Sequence, residues 1–197
     1  MNELNRRIEK YWDDRSESLG QIRSRELHGK NFSAWEKLFS ELIPEKDLLI
    51  LDIGTGAGFF PVILSTLGHR VVGIDMSSQM LIEAEKNLAS FRCRAELQQM
   101  NAHHLSFPDQ SFDLVVSRNL TWTLPDVPEA YREWKRVLKI GGRLMNFDSN
   151  YGNLKFSTED QKIAKSTVDE CNSIKDELEI SSRIRPDWDS KFLSEIG

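Results

Sequence analysis

Two acids bracket a glycine turn in this chain. In LDIGTGAGFF, Asp52 precedes Gly54, Gly56 and Gly58, and Asp75 follows in VVGID. Glycines let the main chain take positive φ and approach a ligand closely, although an unliganded strand-to-helix turn uses them too. The acids narrow the chemistry. A dinucleotide-binding turn needs a further glycine three places after Gly56, where this chain has Phe59. A carboxylate at Asp52 repels a pyrophosphate but suits a ligand carrying an ammonium group. Asp75 is set to accept hydrogen bonds from the two hydroxyls of a ribose. A nucleoside with an amino-acid tail satisfies both acids, whereas a dinucleotide satisfies one.

Further polar residues cluster downstream. His103 and His104 follow Asn101-Ala102, and a metal site would need more ligands at matching spacing than the sequence offers. Ser117-Arg118-Asn119 ends an apolar run, where it either orients a ligand or caps a loop. Trp122 and Leu124 serve equally as a substrate wall or as core. Asp148 ends another apolar run, with proton acceptance and a solvated strand end both open to it.

The elements that must position these residues follow from two alternating periods. Leu4, Ile8, Tyr11 and Trp12 predict an amphipathic helix over 3–18. Ser33-Ala34-Trp35-Glu36 has capping-box form and predicts a second helix ending at Pro44. Residues 47–53 read as a strand covered on both faces, followed by a helix over about 58–67 stopped at Gly68. A strand over 70–75 follows, then a helix capped by Ser77 and running to about Ser90. Strands are expected at 94–99, 112–117 and 143–148. A helix over 126–139, closed by Gly141-Gly142, precedes the last of them. Alternation of this kind predicts an α/β fold, a doubly wound, mostly parallel sheet with helices on both faces. Its ligand crevice lies beyond the carboxyl ends of the strands, which gathers the loops after residues 53, 75, 99 and 117. Beyond Asn150 the alternation stops. A long helix opening at Ser157-Thr158-Glu159-Asp160, with Ile163, Thr167, Cys171, Ile174 and Leu178 inward, precedes another beginning at Pro186-Asp187.

The chain has 197 residues, enough to bury a sizeable core. A formal net charge of −5 argues against a nucleic-acid partner, since phosphate binding favours a basic surface. The polar N-terminus does not read as a signal peptide, and no apolar run has the roughly 18 residues of a membrane span. A cytoplasmic protein with Cys93 and Cys171 reduced is the expectation.

Together these motifs resemble the class I S-adenosylmethionine-dependent methyltransferases, from about Tyr11 to Asp148. LDIGTGAG is similar to their first motif and VVGIDMS to the second. QMNAHHLSFPDQSFDLVVS resembles the third and fourth, and EWKRVLKIGGRLMNFD the stretch through the fifth strand. Ile140 stands where proline is usual. Asn101 stands where aspartate is common, although the similar quinone-biosynthesis group also carries asparagine followed by alanine. The resemblance implies a Rossmann-like core over 46–150, an N-terminal helical lid over 1–45 and C-terminal helices over 151–197. It implies S-adenosyl-L-methionine as cofactor, S-adenosyl-L-homocysteine as product and a small-molecule methyl acceptor. Asp52, Gly54, Thr55, Gly56 and Gly58 would cradle the methionine part, and Asp75 and Met76 the ribose and adenine. Asn101, Ala102 and His103 would line the adenine pocket. Ser117 and Arg118 would close it, and Tyr11 would reach over from the lid. No residue is singled out as a base or a metal ligand. Two other readings stay open, a non-catalytic module on the same fold and, less favoured by Asp52 and Phe59, an NAD-type oxidoreductase. Members of the family usually finish with two further strands that cover the fifth. The chain is expected to lack that hairpin, leaving the fifth strand uncovered or paired to a neighbouring molecule in a homodimer.

Overall fold

The computed structural model describes residues 3–152, 154–161 and 163–197. Two helices, α1 (Glu3–Leu27) and α2 (Lys30–Leu42), precede an alternating series. It runs β1 (Leu49–Ile53), α3 (Phe59–Thr66), β2 (Arg70–Asp75), α4 (Ser78–Ser90), β3 (Glu96–Gln99), β4 (Phe112–Arg118), α5 (Val127–Val137) and β5 (Leu138–Phe147). The short α6 (Thr158–Gln161), then α7 (Lys165–Glu177) and α8 (Asp187–Ile196), follow. The strands form one sheet in the order β3-β2-β1-β4-β5, and every pairing is parallel. Order reverses between β1 and β4, so their carboxyl ends open a crevice there. The expected doubly wound sheet is present.

Apolar side chains cover both faces of that sheet. Ile50, Val71, Leu114 and Val116 pack against Phe39 of α2, Phe60 and Ile63 of α3, and Leu27 of α1. Leu51, Ile53, Val72, Ile74 and Val115 face Ile8 and Tyr11 of α1, Tyr131 and Trp134 of α5, and Ile174 of α7. Local chemistry agrees with the packing. The Ser77 side chain accepts from the Met80 N–H at 3.0 Å and opens α4. Asp126 accepts from the Glu129 N–H at 2.8 Å and opens α5, whose Val127, Ala130, Tyr131, Trp134 and Val137 form one buried stripe.

Several boundaries differ from expectation. The first helix continues to Leu27, because Gly20 and Leu27 keep one side buried. α2 begins at Lys30 after Gly29, so Ser33 lies inside the helix and no capping box forms. Gly141 and Gly142 do not close a helix. Gly141, at φ +79°, sits within β5, where pairing jumps from Phe112–Leu138 to Leu114–Arg143 and makes a bulge. The long C-terminal helix is two, α6 and α7. Residues 150–197 add no strand among the described residues, so β5 is an edge and Ile140 is exposed.

Candidate functional site

The crevice beyond β1, β2 and β4 is a cavity of about 260 Å³, roofed by α1. Its floor is the glycine turn. Gly54, Gly56 and Gly58 all have positive φ, at +69°, +51° and +77°. At Gly56 a Cβ would meet nothing closer than 4.0 Å, so the absent side chain leaves open cavity above bare backbone. At Gly58 a Cβ would come within 3.0 Å of Ala84. Gly58 therefore serves the packing of the turn on α4 and does not line the cavity.

Hydrogen bonds fix the two acids to this turn. Thr55 Oγ1 donates to Asp52 Oδ2 at 2.6 Å, and the Thr55 N–H donates to the Ile74 carbonyl at 2.9 Å. Asp75 accepts from the Gly56 N–H and the Ser77 N–H, each at 2.9 Å. Burial pushes the Asp52 carboxyl up to about 7, against the Thr55 hydroxyl and with help from the nearby Asp75. Burial also pushes Asp75 up to about 6, against the Ser77 and Gly56 N–H groups and with help from Asp13. Both acids are thus poised near neutrality in the free protein.

One end of the cavity is apolar with a few polar edges. Met76, Asn101, Ala102 and His103 line it. The Ala102 carbonyl accepts from the indole Nε1 of the fully buried Trp134 at 2.9 Å, which ties this loop to α5. Asn101 Oδ1 accepts from the His103 N–H at 2.9 Å and lies 2.9 Å from its Nδ1. His103 Nε2 accepts from the Asp126 N–H at 3.3 Å, so the ring proton sits on Nδ1. Burial pulls His103 below its usual value and keeps it neutral. These bonds leave the Asn101 NH₂ as the part of that amide able to meet a base edge.

The other end is aromatic and basic. Tyr11 and Trp12 enter from α1, Arg118 from β4, and Trp122 from a 3-10 turn over Thr121–Thr123. Trp122 packs against Trp12, Tyr151 and Phe156, with ring centroids 6.0, 5.1 and 5.7 Å away. Ser117 does not reach the cavity. It is fully buried, and its hydroxyl donates to the Ile53 carbonyl at 3.1 Å. Asp148 does not line the cavity, and its carboxylate is not solvated. That side chain is only 3% exposed, accepting from Thr121 Oγ1 at 2.5 Å and pairing with Arg185 at 3.4 Å. Leu124 and Trp122 serve both readings, since they line the cavity and belong to the core.

Sequence reasoning missed the upper reach of α1. Arg15, Leu19 and Arg23 continue the spacing of Ile8 and Tyr11 along one face and line the cavity. Arg15 falls within the expected helix, and carrying the helical period past residue 18 would have found Leu19 and Arg23. Tyr151 and Phe156 carried no local signal. Among the described residues, no three His, Cys, Asp or Glu side chains converge to hold a metal ion, and no helix is long and apolar enough to cross a membrane.

Comparison with known proteins places this geometry in a class. Residues 51–146 match the family described as a methyltransferase domain. The chain is 30% identical over 148 residues to the uncharacterized methyltransferase YcgJ of Bacillus subtilis, covering 73% of this chain and 54% of that protein. It is 32% identical over 142 residues to a demethylmenaquinone methyltransferase of Listeria monocytogenes, covering 69% and 58%. A crystal structure from Methanococcus maripaludis superposes with a TM-score of 0.65 over 94% of this chain and 84% of its own, which at 23% identity speaks for the fold. Residues 51–146 thus carry a methyltransferase domain, similar to those of class I S-adenosylmethionine-dependent methyltransferases. It spans about half the length of the curated relatives it matches.

Proposed function

We propose that the protein binds S-adenosylmethionine in this cavity and transfers its methyl group to a small molecule in the cytoplasm. When bound, the cofactor supplies a methyl carried on a sulfonium, which an acceptor atom takes by in-line displacement. The observation that carries the reading is Asp75, which faces the cavity while both its oxygens are anchored to backbone beside the bare Gly56. A carboxylate so held has remaining lone pairs for two ribose hydroxyls. Asp52 receives the ammonium of the amino-acid tail, which favours its ionised form. Met76 and Ala102 sandwich the base, and the Asn101 NH₂ donates to its edge. Tyr11 and Trp12 shut the roof and exclude water, so α1 is the lid.

With the methyl already activated, the chain's own work is placement. Holding two partners in line can contribute roughly 7–11 kcal/mol to lowering the barrier. Apolar walls at Trp122 and Leu120 suit a step in which charge is dispersed. Titration calorimetry with S-adenosylhomocysteine tests the reading. Wild type should bind, and Asp75→Ala should weaken binding about 10- to 100-fold, the worth of hydrogen bonds to a charged group. No heat with wild type, or equal affinity in the variant, refutes it.

A further inference from the structure

The aromatic end of the cavity has a charge imbalance among its own side chains. Arg23 of α1 and Arg118 of β4 share one acid. Their Nη1 atoms lie 2.7 and 3.4 Å from the same Oε2 of Glu26. The three side chains are only 21%, 18% and 22% exposed, so the excess charge is partly desolvated. Arg118 is also held in place, its guanidinium 4.4 Å from the Phe59 ring centroid and 5.3 Å from that of Trp35. Burial and the neighbouring Arg23 pull Arg118 below its ordinary value. Asp52 feels the charge of Arg118, but under the reading above its carboxylate is taken by an ammonium group. A desolvated guanidinium without a full partner is costly, and an anion from outside relieves that cost.

Position assigns this anion to the acceptor. Asp13 bonds to Ser77, beside Asp75, and so marks the nucleoside end of α1. Arg23 stands ten residues farther along the helix, about 15 Å at 1.5 Å per residue. Arg15, two residues after Asp13 on the same helix, also lines the cavity, nearer the nucleoside end than Arg23 does. Beside Arg118, Asn119 accepts from the Tyr151 hydroxyl at 3.3 Å, which connects the basic corner to the aromatic wall. We propose that the methyl acceptor carries an anionic group, a carboxylate or a phosphate monoester, seated between Arg23 and Arg118 with its apolar part against Trp122, Tyr151 and Phe156. This inference rests on the methyltransferase reading for the word acceptor, but the anion preference of the corner can be measured without it.

The test uses benzoate, phenyl phosphate and the neutral benzyl alcohol as probes, titrated with and without saturating S-adenosylhomocysteine. At least one anionic probe should bind about tenfold or more tightly than the alcohol, and which one does so separates carboxylate from phosphate. Arg23→Gln should erase the preference, and Arg23→Lys should keep part of it. Glu26→Gln should strengthen anion binding, because it frees both arginines; a merely structural role for the trio would make it weaken binding instead. Equal binding of charged and neutral probes, or a parallel loss in Arg23→Gln and Glu26→Gln, overturns the proposal. So does a tenfold loss of S-adenosylhomocysteine affinity in Arg23→Gln, which would assign the corner to the cofactor's carboxylate. If wild type binds no S-adenosylhomocysteine, the methyltransferase reading fails, while the probe comparison still decides the preference of the corner.

Discussion

Asp75 does two jobs with one carboxylate. It holds the glycine turn through the Gly56 N–H, and it presents its remaining lone pairs to the cavity. Its burial and that of Asp52 have a consequence for pH. Both groups titrate above the usual carboxylate value of 3.8, near 6 and 7. A raised acid stabilises the fold below its unfolded value, and that contribution is lost as pH rises through the folded value. Ligand-free protein should therefore lose thermal stability from this pair between pH about 4 and about 7. Under the proposed function an ionised Asp52 meets the ammonium and an ionised Asp75 accepts from the ribose, so S-adenosylmethionine affinity should climb over pH 6 to 7. Melting curves and calorimetry across that range check both signs. A flat affinity profile would mean that neither acid meets a cation. The paired acids were legible in the sequence because their chemistry depends on residue type and spacing. The Glu26–Arg118 pair was not, since 92 residues separate its members and only the packing of α1 over the sheet brings them together.

Elements were readable where period and caps agreed, as in α4 and α5. They were misread where tertiary packing outweighed a local signal. Gly141-Gly142 looked like a helix stop, yet β4 captured Leu138 and turned the glycines into a bulge. Ser33 had the chemistry of a cap, but the chain was already helical from Lys30. The strand end at Asp148 shows the same limit. Its partners come from the 3-10 turn and from Arg185 just before α8, neither of which a strand pattern reports. There Arg185 donates to Asp189 through Nε and Nη2, each at 2.7 Å, and to Thr121 at 2.6 Å. Tyr131 also donates to Asp189, at 2.6 Å. This network fastens α8 to α5 and to the turn that carries Trp122. Removing its cation strands two buried acids, so Arg185→Met should cost about 3–5 kcal/mol in urea unfolding. A cost below about 1 kcal/mol would mean that water replaces the arginine.

Across the whole molecule, five parallel strands set the functional loops at one end, and α1 covers them. That helix touches both layers of the core, with Ile8 in one and Leu27 in the other. Its amino-terminal half is fastened from outside. Arg7 pairs with Glu170 at 2.7 Å and Glu177 at 2.5 Å on α7, with side chains 29–46% exposed. Exposed pairs of this kind weaken as ions screen them, over a length of about 10 Å at 0.1 M. Occupant residence time should then follow ionic strength. Raising salt from roughly 0.05 to 0.5 M should speed S-adenosylhomocysteine departure in stopped-flow fluorescence several-fold, while the melting temperature shifts little. That fastening of the roof would then set the pace of turnover, and Arg7 would govern throughput without touching any reactant.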